Sequence, residues 1–264
     1  MTWCLVGSEM CIRDRASGRE HRIVESHRLA VRLGTPVFQS GKIPDATIAD
    51  IVDAFRRFRT SCDHQGAKLR RAIATSAMRS ARNRDLLVDR VRQASGFEID
   101  VISGTQEAYL LKLAVETKLD LSQGRSVLID VGGGSAEVVV VDDGAIASAN
   151  SYRLGALRML EQFKDANDED FVDLMKKHLG GLDHRIAESL DDGKIDRYVT
   201  VGGNIESLAD LVTEQVGHRQ KNDIDACSIS DLNDVVRELA EMSVDERIER
   251  HRLRADRALS LIHI

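Results

Sequence analysis

The chain has 264 residues, 42% hydrophobic and 30% charged, with a formal net charge of −6. That balance suits a soluble globular protein of one large or two modest domains and excludes a disordered chain. No apolar run approaches the ~18 residues that cross a bilayer. The acidic balance gives no global pull on nucleic acid, so a polyanion site must be a local basic patch.

The two ends are read together. Residues 5–15 are LVGSEMCIRDR and residues 259–264 are LSLIHI. LSLIHI can be encoded as CTG TCT CTT ATA CAC ATC, and the reverse complement, read one base later, encodes Met-Cys-Ile-Arg-Asp. That is the run at Met10–Asp14. Both ends therefore look like translated sequencing-library adaptor, and 1–15 and 259–264 are set aside as non-native. Of the cysteines this leaves Cys62 and Cys227, far apart and without metal or redox spacing. A reducing cytoplasm is the simplest setting.

Ile23–Leu33 predicts a strand ending at Gly34. Asp45 caps a helix to about Cys62, with Ile48, Ile51, Val52, Phe55 and Phe58 on one face. A short strand follows at Leu69–Thr75, then a helix at Asn83–Ala94 with Leu86, Leu87 and Val91 inward. Phe97–Ile102 predicts a strand and Gly104–Thr117 a helix.

The stretch Ser126–Asp143, SVLIDVGGGSAEVVVVDD, carries the most chemistry. Apolar β-branched runs flank Gly132-Gly133-Gly134-Ser135, so the glycines sit in a strand-to-strand bend, with a turn at Asp142-Asp143-Gly144. A P-loop or dinucleotide fingerprint would need a helix directly after its glycines. Three residues without Cβ let backbone N–H groups approach an anion, and Ser135 adds a hydroxyl. Asp130, at the mouth of the bend, is a hard oxygen ligand of the kind Mg²⁺ takes.

Downstream, Ala145–Leu154 predicts a strand, and helices follow from Gly155 and over Glu169–Leu190. Tyr198–Val201 predicts a strand, with helices at Gly203–Val212 and Ile229–Ala240. The second half thus runs strand, strand, strand, helix, strand, helix. The first half matches it if two strands are missing at its start. The predicted class is α/β: duplicated ribonuclease H-like (actin-like ATPase) domains, the first lacking its first two strands and the second its last. The expected division is 16–120 and 121–258.

Four segments together resemble the exopolyphosphatase and guanosine-pentaphosphate phosphohydrolase family. They are ATSAMRSARNRD at Ala74–Asp85, VISGTQEA at Val101–Ala108, IDVGGGSAEVVV at Ile129–Val140 and VGGNIESLADL at Val201–Leu211. SYRLGALRMLEQF at Ser151–Phe163 matches a fifth family segment, and the order holds over about residues 21–258. The resemblance implies hydrolysis of a terminal phosphate from polyphosphate or guanosine pentaphosphate, with Mg²⁺, in a cleft between two actin-like domains. It assigns Glu107 as the carboxylate that activates water, and Asp130 and Glu137 as acidic groups around the metal. Gly132, Gly133, Gly134 and Ser135 become a phosphate loop, joined by Arg79, Asn83, Gly202 and Gly203. Arg70, Arg71, Arg79, Arg82 and Arg84 supply the local basic patch. No nucleic acid or membrane partner is expected, and the oligomeric state stays open, a homodimer among the options.

There are departures. Thr105-Gln106 stand where the family has an acidic pair, and Tyr109 stands where it has Arg. The later loop reads Val199-Thr200-Val201-Gly202-Gly203-Asn204 instead of G-T-G-G-T. The first phosphate loop, expected before Ile23, is absent from the sequence. Residues 1–264 alone are therefore expected to be neither stably folded nor active. A rival reading is a phosphate-chain or alarmone sensor without turnover. A sugar kinase of the same fold is disfavoured by VISGTQEA.

Overall fold

Two sheets with one strand order between them organise the computed structural model. It describes residues 2–5, 9–15, 21–28, 31, 33–67, 70–163, 165, 173–174, 177–180, 190, 193–216, 220–221 and 224–253. Side chains before Val31, at Arg70, Asn204 and Val216, and at 220–225 are outside that description. Most of the predicted helix at Glu169–Leu190 also lies outside it.

The first sheet contains β1 (Thr2–Leu5), β2 (Glu9–Arg15), β3 (His21–Arg28), β4 (Arg70–Ala74) and β5 (Glu98–Val101) in the order β3-β2-β1-β4-β5. The first three strands pair antiparallel, while β1–β4 and β4–β5 are parallel. The second sheet holds β6 (Arg125–Val131), β7 (Ala136–Asp142), β8 (Ala145–Tyr152) and β9 (Arg197–Val201) in the order β8-β7-β6-β9. Again the first three strands are antiparallel and β6–β9 is parallel. This is the duplicated order expected from sequence.

One expectation is corrected. The first sheet does not lack two strands, because Thr2–Leu5 and Glu9–Arg15 fill those places. The register Thr2↔Arg70 to Leu5↔Ile73 gives β4 a partner on the side that would otherwise be an open edge. An unpaired row of N–H and C=O groups is a template for any short β-prone run, and Thr-Trp-Cys-Leu is one.

The chain divides into two compact units, Met1–Ser103 and Gly104–Ile264. In the first, α2 (Asp45–His64) buries Ile48, Ile51, Val52, Phe55 and Phe58 as its periodicity predicts. Phe55 meets Phe58 and Phe97 edge to face, with ring centroids 5.6 and 5.2 Å apart. Helix α4 (Arg84–Ser95) buries Leu87 and Val91, one turn apart, whereas Leu86 is 41% exposed, a rotation of about 100° away. Gly34 does not end a strand; it opens α1 (Gly34–Ser40), and Pro36 falls in the first turn, where a missing N–H costs nothing. A single turn, α3 (Ser76–Ser80), follows β4.

Helix α5 (Gly104–Glu116), the last element of the first half in the sequence reading, belongs to the second unit. Its Ala108, Leu111 and Val115 pack with Leu128, Val139 and Val141. Val127, Val138 and Tyr152 form a separate cluster. After α6 (Ala156–Gln162), α7 (Gly203–Val216) packs Leu208, Leu211 and Val212 against Val235 and Leu239 of α8 (Ile229–Glu241). A short helix, α9 (Val244–His251), follows; its buried Arg247 donates from Nε to the Leu239 carbonyl at 2.7 Å. No helix among the described residues is long and apolar enough to cross a membrane.

Candidate active site

Strand pairing sets the first line of the site. Asp130 on β6 lies opposite Glu137 on β7, and Glu137 lies opposite Ser151 on β8. Directly opposed residues share a face of the sheet, so these form one polar row across three strands. Two residues along, the same face carries Leu128, Val139 and Ala149, which pack with α5. The apolar part of the face thus seats α5, and the polar row lies where the strands approach the Gly132–Ser135 bend. At the start of α5 the contact is tight: a Cβ on Gly104 would lie 2.3 Å from Ser151 Cβ. Glu107, in the first turn of α5, stays half-buried.

Electrostatics ties the row to Glu107. Burial pushes the Asp130 carboxyl up to about 6, and the negative charges of Glu107 and Glu206 push the same way. Glu137 is only 1% exposed, and burial raises it to about 7. A hydrogen bond from Ser151 opposes that rise, Glu107 adds to it, a hydrogen bond from Ser135 opposes it and Asp130 adds to it. Ser151 Oγ donates to Glu137 Oε1 at 2.7 Å. Gly202, at the end of β9, has φ +112, and a Cβ there would lie 3.0 Å from Asp130 Oδ1. A larger residue at 202 would be strained and would press on that carboxylate. Gly203 opens α7, whose first turn carries Glu206.

The structure therefore brings together Glu107, Asp130 and Glu137, with Gly132, Gly133, Gly134 and Ser135 in the adjoining turn and Gly202 and Gly203 at the end of β9. Arg79 and Asn83 belong to the first unit. Arg79 Nη1 donates to the Ile102 carbonyl at 3.1 Å. Asn83 accepts from Ile43 N at 2.8 Å and donates to Ile43 O at 2.9 Å, so its amide ties two segments of that unit together. Tyr109 is 52% exposed. Among the described residues, no group of three or more His, Cys, Asp and Glu is arranged to hold a metal ion.

Sequence reasoning missed Glu206 and Ser151. Glu206 had a readable signal, an acidic residue in the first turn after a strand and a Gly-Gly pair. Ser151 had only its place at the head of the SYRLGALRMLEQF segment.

The family model for the Ppx/GppA phosphatase family matches residues 12–263. The chain belongs to the Ppx/GppA phosphatase family. The match spans nearly the whole chain, and relatives named exopolyphosphatase and guanosine-5'-triphosphate,3'-diphosphate pyrophosphatase mark it as a phosphoanhydride hydrolase. Exopolyphosphatase 1 of Mycobacterium tuberculosis (strain H37Rv) is 28% identical over 262 residues, covering 96% of this chain and 74% of that protein. A guanosine-5'-triphosphate,3'-diphosphate pyrophosphatase of Vibrio atlanticus is 27% identical over 151 residues, 55% of this chain and 29% of that protein. Among solved structures, an exopolyphosphatase from Cytophaga hutchinsonii superposes with a TM-score of 0.85 at 21% identity, covering 99% of this chain and 86% of that one. The Ppx/GppA member from Aquifex aeolicus gives a TM-score of 0.79 at 22% identity, covering 99% and 85%. Both likenesses show the actin-like fold predicted from the strand order.

Proposed function

We propose that this chain hydrolyses the terminal phosphate of inorganic polyphosphate, guanosine pentaphosphate or both. The observation that carries the reading is the convergence of Glu107, Asp130 and Glu137 beside the Gly132–Ser135 turn. Relatives named for each substrate support the substrate class. Phosphoryl transfer asks a protein chiefly for an oriented nucleophile and counter-charge on the phosphate oxygens. In this reading Glu107 takes a proton from water as the water oxygen bonds to the terminal phosphorus. The bond from that phosphorus to the bridging oxygen breaks, and the bridging oxygen leaves with the electron pair. Backbone amides of the glycine turn hold the non-bridging oxygens.

Magnesium fits the donor set chemically. Asp130 and Glu137 are hard oxygen donors in a place where burial and neighbouring negative charge disfavour their anionic forms. A divalent cation would reverse that preference and neutralise phosphate charge. Two carboxylates are the protein share of ligands that Mg²⁺ commonly takes, with waters filling the remaining positions. Arg79 and Asn83 are retained as phosphate-side residues only in the proposal. A cytoplasmic setting belongs to the same reading, since Cys62 and Cys227 lie far apart in sequence without redox spacing.

The rival sensor reading rests on Tyr109 and the altered later loop. Phosphate release from polyphosphate and from guanosine pentaphosphate, each with Mg²⁺ and with EDTA, separates the two. Hydrolysis predicts Mg²⁺-dependent release from at least one substrate. Tight binding of both without release would support the sensor and remove the hydrolase reading. Residues 5–15, LVGSEMCIRDR, carry neither the glycine bend nor the serine pair that the resemblance expects of the first phosphate loop. The expectation of an unfolded, inactive chain rested on two missing strands whose places β1 and β2 occupy, so this reading replaces it with slow turnover by a folded chain.

A further inference from the structure

In the segment Ser151–Phe163, residues Gly155–Arg158 lie against the glycine turn. Three successive carbonyls of the turn are bonded to the start of α6. Gly132 O accepts from Ala156 N at 3.1 Å and Gly133 O from Arg158 N at 2.9 Å. Gly134 O accepts from Arg158 Nε at 2.7 Å. A trans peptide carries its N–H opposite its C=O, and no cis peptide bond occurs among the described residues. Holding these three carbonyls toward α6 therefore turns the N–H groups of Gly133, Gly134 and Ser135 the other way.

Two features make this contact specific. Arg158 is only 9% exposed, and a buried guanidinium is costly unless its hydrogen bonds are made. Gly155 sits so close that a Cβ there would lie 2.4 Å from Gly134 N and 2.6 Å from Gly133 C. Its backbone, at φ −155 and ψ 147, is extended and open to any residue, so the requirement for glycine here is contact alone.

We propose that Gly155 and Arg158 form a brace that positions the glycine turn, with Arg158 as a positioning residue that fixes its amides in an anion-facing array. The inference rests on the proposed reading of Gly132–Ser135 as a phosphate loop. The brace acts on binding of the phosphate oxygens and leaves Glu107 untouched.

The test titrates the full chain with magnesium tripolyphosphate, reading Kd by calorimetry and the Gly133 and Gly134 amide shifts by NMR. Thermal midpoint and the split between KM and kcat are recorded for each form. Arg158→Met is expected to weaken Kd about tenfold or more, as for loss of a charge-assisted hydrogen bond, with KM rising in parallel and kcat changing less. Arg158→Lys, with a point donor in place of the planar fork, is expected to fall between the parent and Arg158→Met. Gly155→Ala, which needs no backbone change, is expected to weaken Kd similarly and decides the matter if Arg158→Met does not fold. Unchanged Kd in folded Gly155→Ala and Arg158→Met overturns the brace while the phosphate-loop reading stands. No saturable shift of the Gly133 and Gly134 amides in the parent overturns the loop reading, and the brace with it.

Discussion

Asp130 and Glu137 sit side by side in a setting that favours their protonated forms, and that has a measurable consequence. Their carboxyls titrate near 6 and 7, well above ordinary values of 3.8 and 4.5. The folded state therefore binds protons more tightly than the unfolded chain. Stability from these groups is fully present below about pH 4 and is lost as pH rises through about 7, a swing on the order of a few kcal/mol. The thermal midpoint without divalent cation should fall over that window, and Glu137→Gln should flatten the fall. An identical slope in the variant would show that Glu137 is not the titrating group. Added Mg²⁺ should restore part of the midpoint above pH 7 by binding the folded state. Asp130→Asn should abolish that restoration, along with Mg²⁺-dependent hydrolysis, while the fold persists. Unchanged activity at saturating Mg²⁺ would remove Asp130 from the site.

At the scale of elements, α5 joins the site to the core. Leu111 is 8% exposed and lies in the cluster beneath the helix, whereas Leu113 is 40% exposed. Leu111→Ala should destabilise the second unit by about 2–5 kcal/mol, and Leu113→Ala by no more than about 0.5 kcal/mol. Chemical denaturation of the two variants checks this; equal losses would show that α5 does not seat on the second sheet. The membership of α5 was not legible in sequence, because its apolar spacing says that a face is buried and not which sheet buries it. The hairpin itself was legible: apolar β-branched runs, a glycine bend and the Asp142-Asp143-Gly144 turn all agree with β6, β7 and the positive φ of Asp143 and Gly144. The strands at Thr2–Leu5 and Glu9–Arg15 were missed because their sequence was set aside on nucleotide grounds. Strand pairing answers to backbone complementarity, and β4 supplies it. Likewise, no spacing rule relates Ser151 to Glu137; only the register of β8 on β7 does.

For the whole molecule, a repeated strand order places a polar row at the Gly132–Ser135 end of the second sheet, where Glu107 from α5 meets it. An acidic chain of net charge −6 that takes a polyanion needs its positive counter-charge locally, from turn amides, a cation and arginines. The most direct measurement is phosphate release from polyphosphate under enzyme excess, with saturating Mg²⁺, for the 264-residue chain and its Glu107→Gln form. Glutamine keeps the size and hydrogen bonding of the side chain but cannot take a proton. The expected result is slow, Mg²⁺-dependent release by the parent and a loss of about 10²–10⁴ in the variant, with polyphosphate Kd nearly unchanged. Equal rates in the two proteins, or no release from the folded parent, would contradict the hydrolytic site built on Glu107.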